Sequence, residues 1–393
     1  MRIVVHDYSG HAFPVQLSRS LAARGHQVLH LHSASFTTPQ GPLKKRDDDP
    51  AGFQPEPIVL PEQVDKSNNF KRRKADIDHG NRVVERLKTF KPEVVLSGNT
   101  PLDAQRLILS HAQSQGGKFV FWVQDLIGQA VMRLIGKKGF GLGKLVGMHY
   151  VNMENSMLER SDKIVVISED FRPHLPASVR NTPKVEVVEN WALIDEIPLM
   201  PRENKWSIAQ GFSEGLNFVY SGTLGMKHNP ELLVQLASQL ANKGRLIVIS
   251  EGQSIEFLKQ RMLELKLENM HLLPFQPFET MPQVLAASDV LVAILEPDAG
   301  VFSVPSKVLT YLCANKPLLM AMPQENLAAR IVTENGAGIV VGPDDCLGFV
   351  QAAQQLVDHP ETREKMGAAA RSYAERTFNI DLITNKFEKI LMF

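Results

Sequence analysis

The sequence predicts an α/β protein made of two doubly wound domains with parallel sheets. Three observations carry that prediction. Short apolar runs of strand length alternate with helical patterns over nearly the whole chain, as expected of parallel strands buried on both faces. One local unit occurs twice: a strand, Tyr8-Ser9-Gly10 and a helix near the start, then a strand, Tyr220-Ser221-Gly222 and a helix past the middle. A length of 393 residues suits two or three domains, each large enough for its own core.

Ile3-Val4-Val5 forms the first strand, and the helix behind it has Pro14 near its start, Leu17 and Leu21 on one face and Gly25 at its stop. Val28–Leu31, Glu93–Leu96, Phe119–Val123 and Lys163–Ile167 follow as strands. Residues 33–70, rich in Pro, Asp and Asn, read as a long irregular loop of a kind that often carries function. In the second half Phe218–Tyr220 leads into a glycine loop. The helix after it takes Asn229 as N-cap, Pro230 as first residue, Leu232, Leu233, Leu236 and Leu240 inward, and Gly244 as its end. Further strands fall at Leu246–Ile249, His271–Leu273, Val290–Ile294, Leu318–Met320 and Gly338–Val341. The expected division is an N-terminal domain over 1–187, a linker over 188–211 marked by Pro198 and Pro201, and a C-terminal domain over 212–375. A last helix over 376–393 is expected to return to the first domain.

Composition narrows the function. A 44% apolar and 22% charged chain is neither disordered nor fibrous. No apolar run reaches the ~18 residues of a membrane span, the N-terminus has no signal-peptide pattern, and two cysteines, Cys313 and Cys346, fit a reducing compartment. A cytoplasmic location is the expectation. Balanced totals of 43 basic and 43 acidic residues speak against nucleic-acid binding but hide an asymmetry: 26 basic against 20 acidic in 1–190, and 17 against 23 in 191–393. Part of the front excess lies at Lys71–Lys74 and between Arg133 and Lys144. Such a face can attract anionic lipid or a phosphorylated substrate, and a solvated surface accounts for it equally.

In open parallel sheets ligands bind beyond the carboxyl ends of the strands. Ser221-Gly222-Thr223-Leu224-Gly225-Met226-Lys227 sits between a strand and a helix, where glycines let backbone N–H groups approach an anion and Lys227 adds charge. A tight turn with a surface lysine is the plainer reading. Ser303-Val304-Pro305-Ser306-Lys307 offers the same chemistry at a second helix start, and two such termini with two lysines suit a diphosphate. Asp125, closing the strand run Trp122-Val123-Gln124-Asp125, can accept hydrogen bonds or a proton, or merely cap a helix; Glu296 and Asp298 carry the same ambiguity. No GxxxxGK[ST], HExxH, paired CxxC or GxSxG occurs, and Gly139–Gly143 follows no strand, so a P-loop, metalloprotease, zinc, serine hydrolase or dinucleotide reading has no support.

With these loops placed, the chain resembles the family 4 glycosyltransferases of the GT-B fold, and especially the bacterial enzymes of exopolysaccharide, capsule and O-antigen assembly. The resemblance spans nearly the full length. It rests on Asp7-Tyr8-Ser9-Gly10-His11, Arg24-Gly25-His26, Gln124-Asp125, Val166-Ile167-Ser168-Glu169, Glu189-Asn190-Trp191, Tyr220–Gly225, Leu273–Pro277, and Gly300–Lys307 joined to Tyr311–Pro317. It implies two Rossmann-like domains facing a cleft, a UDP-type nucleotide-sugar donor held by the second, and a glycan acceptor, lipid-linked in the family's manner, held by the first. Main-chain groups around Phe275 would meet the base. Gly222, Thr223, Gly225 and Lys227, with Ser306 and Lys307, would hold the diphosphate. Asp298, Ala299, Gly300, Phe302 and Ser303 would line the sugar, with Asp125 approaching it, and Gly10 and His11 would lie near the phosphates and acceptor.

The chain departs from the family pattern at three points. Where many members carry two glutamates eight positions apart, this sequence has Phe302 and Thr310; Thr310 can still bond a ribose hydroxyl. Thr223 replaces the phosphate-loop Arg, leaving more of the charge to Lys227 and Lys307. Asn315 replaces a Gly, and Asn tolerates a left-handed helix stop. The expected chemistry is sugar transfer with retention of the anomeric configuration, the leaving diphosphate neutralised by lysines and N–H groups with no metal or other cofactor. Two alternatives stand beside it: an enzyme like the non-hydrolysing UDP-N-acetylglucosamine 2-epimerases, and a binding protein on a degenerate transferase fold. The basic, apolar run Ala130–Leu145 would give peripheral contact with an anionic membrane, or be an ordinary helix and loop.

Overall fold

The computed structural model describes residues 1–35, 41–60, 69–135, 142–297, 300 and 304–393; for Asn69, Phe70, Leu142 and Lys227 it describes the backbone alone. The chain divides into two compact units, one of Met1–Asn190 with Ile380–Phe393, the other of Trp191–Asn379.

Among the described residues the first unit holds a seven-stranded parallel sheet: β1 (Arg2–Asp7), β2 (Gln27–Ser33), β3 (Phe53–Ile58), β4 (Val94–Gly98), β5 (Lys118–Val123), β6 (Lys163–Val166) and β7 (Val185–Val187). Their order is β3-β2-β1-β4-β5-β6-β7. The apolar runs became its central strands because helices cover both faces, leaving Val4, Val5, Val94, Val95, Phe119 and Val120 with no exposed surface. One expectation fails here. Residues 33–70 are not all loop: Phe53–Ile58 pairs with β2 despite Pro55 and Pro57. Proline has no N–H to donate to a ladder, and β3 lies at the sheet edge, where one side of the strand needs no partner. The sequence reading also missed β7, three residues long.

The last helix, Ile380–Leu391, counts with this unit. It buries Ile383, Phe387, Ile390 and Leu391, and the Phe387 ring meets Trp122 edge-on at 4.9 Å between centroids. Glu388 accepts hydrogen bonds from Arg24 and His26, and Thr384 Oγ1 donates to Ser20 Oγ, both on the rim of the first helix, Ala12–Ala23.

The second unit has a six-stranded parallel sheet among its described residues: β8 (Asn217–Ser221), β9 (Arg245–Ile249), β10 (Met270–Leu273), β11 (Val290–Ile294), β12 (Leu318–Ala321) and β13 (Gly338–Val341). The order is β10-β9-β8-β11-β12-β13. Leu232, Leu233, Leu236 and Leu240 pack on the sheet with Phe218, Val248 and Phe349, as their helical spacing predicts. The details of that helix differ from expectation. It spans Glu231–Leu240, and Asn229 is no N-cap but a left-handed residue at φ 54°, separating the helix from a 3-10 turn over Met226–His228. Asparagine's tolerance of that conformation made it a turn residue instead.

Residues 191–211, expected as a linker, count with the second unit. Trp191 and Trp206 are buried, and Asn204 and Ser207 form a reciprocal capping box on the short helix Lys205–Gln210, which ends at Gly211 with φ 73°. Burial of two tryptophans outweighs the polar, proline-marked composition that suggested a free connection.

Each sheet has one switch point. The chain leaves β1 toward β2 and β4 toward β5, so the connections part between β1 and β4; in the second unit they part between β8 and β11. Loops diverge there and open a crevice at the carboxyl ends. Among the described residues no helix is long and apolar enough to cross a membrane.

Candidate active site

The second unit's switch point carries the glycine loop. Ser221 ends β8, and both its backbone groups are held by one side chain: its N–H donates to Tyr311 Oη at 2.8 Å, and that hydroxyl donates to the Ser221 carbonyl at 2.9 Å. Tyr311 and Ser306 belong to the short helix Ser306–Leu312, so the helix is tied to the strand end. Gly222 follows at φ 122°, a conformation that side-chain-bearing residues rarely adopt.

Lys307 crosses this gap. Its Nζ donates to Tyr220 Oη at 2.5 Å and to the Thr223 carbonyl at 3.2 Å, and it stands 3.9 Å from the centre of the Tyr220 ring. A Cβ on Gly222 would lie 3.2 Å from Lys307 Cε and 3.3 Å from Nζ, so the ammonium rests against the bare glycine. Tyr220 Oη in turn donates to the Thr223 carbonyl at 2.8 Å. Among the described residues the hydrogen-bond partners of the ammonium are a phenol and a carbonyl rather than a carboxylate, and loss of hydration pushes its pKa down to about 7. A lysine in that state gains from any anion that enters.

The other expected residues of this unit are placed as follows. Thr223 and Gly225 lie on the loop. Lys227 lies in the 3-10 turn rather than at an α-helix start, and its side chain is outside the description, as are Asp298, Ala299, Phe302 and Ser303. Gly300 has φ 44°, and its carbonyl accepts from Asn326 Nδ2 at 2.6 Å. Ser306 is the first residue of its helix, with Pro305 as N-cap; Thr310 stands one turn on, its hydroxyl 3.4 Å from the Ser306 carbonyl. Phe275 follows β10, and its N–H donates to Glu251 at 3.2 Å. Glu296, beyond β11, meets His228 Nε2 at 2.8 Å, a pairing the sequence did not suggest.

The first unit's switch point gathers a second cluster. Asp7, at the end of β1 and 1% exposed, accepts from the His11 backbone N–H at 2.5 Å and from Asn99 Nδ2 at 2.8 Å, and lies 3.5 Å from His11 Nδ1. Asn99 can reach because it turns at φ 50° just past β4, and Gly10, at φ 71°, bends the chain back so that His11 caps the first helix. Burial pushes the Asp7 carboxyl up, but His11 and the hydrogen bonds outweigh it and leave the carboxyl below its ordinary value. Burial likewise opposes charge on His11, and Asp7 followed by Asp125 outweighs it, raising the imidazole pKa. Asp125, past β5, is accessible but crowded; desolvation lifts its carboxyl to about 6 against the pull of His11. Sequence reasoning singled out Gly10, His11 and Asp125 but missed Asp7 and Asn99 as parts of the site. The signal available for Asp7 was a carboxylate at a strand end, four residues before a histidine.

Residues 203–373 match the family model described as glycosyl transferases group 1. The matched residues make up less than half of the chain and lie within the second of its two parallel-sheet α/β units, so the likeness to group 1 glycosyl transferases is a likeness of that unit. The particular likenesses are distant. The chain is 24% identical over 298 residues to the probable glycosyltransferase WbjE of Pseudomonas aeruginosa, covering 75% of this chain and 73% of that protein. It is 23% identical over 281 residues to the putative colanic acid biosynthesis glycosyl transferase WcaI of Escherichia coli K12, covering 70% and 68%. Among solved structures, HepE of Anabaena, crystallised with UDP, superposes over 100% of both chains with a TM-score of 0.70 at 14% identity. Sucrose-phosphate synthase of Thermosynechococcus elongatus superposes over 99% of this chain and 98% of its own, with a TM-score of 0.72 at 14% identity. These neighbours bear out the expected two-domain α/β fold.

Proposed function

We propose that the protein transfers a sugar from a UDP-type nucleotide-sugar to a hydroxyl of a glycan acceptor, with the anomeric configuration retained. The acceptor is lipid-linked, and the product enters a bacterial surface polysaccharide. The observation that carries the reading is Lys307 laid against Gly222 at the second unit's switch point, hydrogen-bonded to a phenol and a carbonyl rather than to a carboxylate among the described residues. An ammonium and a bare glycine backbone suit a diphosphate, whose charge grows as its bond to the sugar breaks. The group 1 match over this unit and the UDP bound in the HepE neighbour support the same ligand, and the relative named for colanic acid biosynthesis supports a polysaccharide product.

In this reading the lysines and N–H groups neutralise the diphosphate, and no metal or other cofactor takes part. Thr223, Gly225, Ser306 and Lys227 complete the diphosphate site, Phe275 and Thr310 meet the nucleoside, and residues 298–303 line the sugar. The first unit binds the acceptor and works at a cytoplasmic membrane surface. Leu134, Leu145, Val146 and Met148 are exposed on the helices Ile127–Ile135 and Leu142–Arg160 beside Arg133 and Lys144, a composition suited to anionic lipid. Part of the expected basic run, residues 136–141, lies outside the described residues.

The test is calorimetric titration of UDP into wild type and Lys307→Ala, alongside transfer from UDP-sugars to a lipid extract. Loss of a charge-assisted contact costs about 1.5–3 kcal/mol, or roughly 10- to 150-fold in Kd. Equal UDP affinity in the two proteins, or no UDP binding by wild type, refutes the assignment.

A further inference from the structure

We propose that Glu296, oriented by His228, reads the donor sugar and selects an uncharged sugar over a uronic acid; the proposal rests on the UDP-sugar reading above. The sheet order sets where the sugar falls. β10, β9, β8 and β11 lie side by side in that order, and neighbouring strands stand about 4.8 Å apart. Phe275, assigned to the nucleoside, follows β10, while Gly222 and Thr223, assigned to the diphosphate, follow β8. The diphosphate is the middle of a nucleotide-sugar. With the nucleoside two strands to one side of it, the sugar comes over the strand on the other side, which is β11. Glu296 stands there, two residues past Ile294, the end of that strand.

The carboxylate is held in place. His228 Nε2 meets Glu296 Oε2 at 2.8 Å, and each side chain keeps 16% of its surface exposed. His228 ends the 3-10 turn Met226–His228 of the phosphate loop, and its backbone N–H donates to the Gly225 carbonyl at 3.0 Å. The pair therefore ties the loop assigned to the diphosphate to the loop that follows β11, and both lie within the second unit. Farther along the latter, Asn326 Nδ2 donates to the Gly300 carbonyl at 2.6 Å and fixes its course. A carboxylate accepts at about four lone-pair positions, and the imidazole N–H takes one. Sugar hydroxyls are donors, and their hydrogen bonds to an ionised acceptor are of the strong, charge-assisted kind. A uronic acid brings a second carboxylate to the same place, where partly buried like charges repel with little screening. His228 is a positioning residue, since it acts through Glu296.

The experiment titrates UDP, UDP-glucose, UDP-galactose, UDP-N-acetylglucosamine and UDP-glucuronate into wild type, Glu296→Gln, His228→Ala and His228→Gln by calorimetry. In wild type the best of the uncharged sugars should bind about tenfold or more tightly than UDP-glucuronate. Glu296→Gln should lose about tenfold for that sugar, the difference between a charged and a neutral acceptor, while its UDP Kd stays unchanged. Its discrimination against UDP-glucuronate should shrink. A substitution that merely loosened the loops would weaken UDP as well. His228→Ala should weaken the same sugar, and His228→Gln, which keeps a donor near the Nε2 position, should restore most of the loss. Should Glu296→Gln not fold, the wild-type preference decides. Wild type that binds UDP-glucuronate as tightly as the best uncharged sugar overturns the proposal, as does a Glu296→Gln protein that loses nothing for that sugar or loses UDP equally. Absence of UDP binding by wild type overturns the UDP-sugar reading as well, whereas UDP binding without the sugar preference removes the reader alone.

Discussion

Replacing Gly222 by alanine should weaken nucleotide binding through Lys307, and the structure sets the size of the effect. The new methyl would lie 3.2 Å from Lys307 Cε and 3.3 Å from Nζ, closer than most real Cβ contacts, at a backbone φ of 122°. The backbone strain alone costs about 1–3 kcal/mol of folding stability. The clash is relieved most easily by moving the lysine's flexible end, which takes Nζ away from Tyr220 Oη and the Thr223 carbonyl. Nucleotide affinity should then fall by the worth of one charge-assisted contact, roughly 10- to 150-fold. The assay is UDP titration in a cycle of four proteins: wild type, Gly222→Ala, Lys307→Ala and the double variant. If the methyl acts through the lysine, Gly222→Ala costs little further affinity once Lys307 is gone, while the drop in melting temperature remains. An equal affinity loss in both backgrounds would refute the reasoning, because the methyl would then be blocking the ligand or the loop directly.

Three further outcomes are expected. Phe387→Ala should destabilise the first unit by about 3–5 kcal/mol, since the ring is fully buried against Trp122, and urea unfolding followed by tryptophan fluorescence reads it. Tyr311→Phe should cost about 1–3 kcal/mol by stranding the Ser221 backbone groups, and it should also weaken UDP binding; unchanged stability would mean that the strand end does not need the tie. Acid should act in two stages. Burial lowers the pKa of His6, His30 and His79, the last two to about 3, so their stabilisation is complete above the unfolded value and is lost as pH falls below it. Each buried histidine adds a slope of up to about 1.4 kcal/mol per pH unit. Asp76 and Glu154 are raised by burial to about 6 and about 7, so they bind protons first in the folded state and offset two of those slopes until unfolded carboxyls titrate. Urea midpoints should fall gently from pH 6.5 to 5 and steeply near pH 4. Asp76→Asn with Glu154→Gln should bring the steep fall forward, and a midpoint curve that does not change in that variant would contradict the pKa assignment.

The strands were legible because parallel sheets bury both faces, which makes their apolar runs dense and short, as at Phe119–Val123 and Val290–Ile294. β3 was not, since Pro55 and Pro57 read as loop unless the strand is known to lie at an edge. The linker expectation failed for a similar reason: polar composition said nothing of the burial of Trp191 and Trp206.

At the site the sequence by itself determined which chemistry is present. Glycines at 10 and 222, a lysine at 307 and a carboxylate at 125 are identifiable wherever strand ends are identifiable, because loop chemistry depends on residue type and local order. Only the tertiary structure decided the partnerships. Lys307 lies 85 residues beyond Gly222 in the numbering and Asn99 lies 92 beyond Asp7, and the sheet order alone brings each pair together. Hydrogen bonds and desolvation act over a few ångströms of space, so no reading of neighbours along the chain could assign Tyr220 and Tyr311 to the lysine's strand end, or Asp7 to the imidazole.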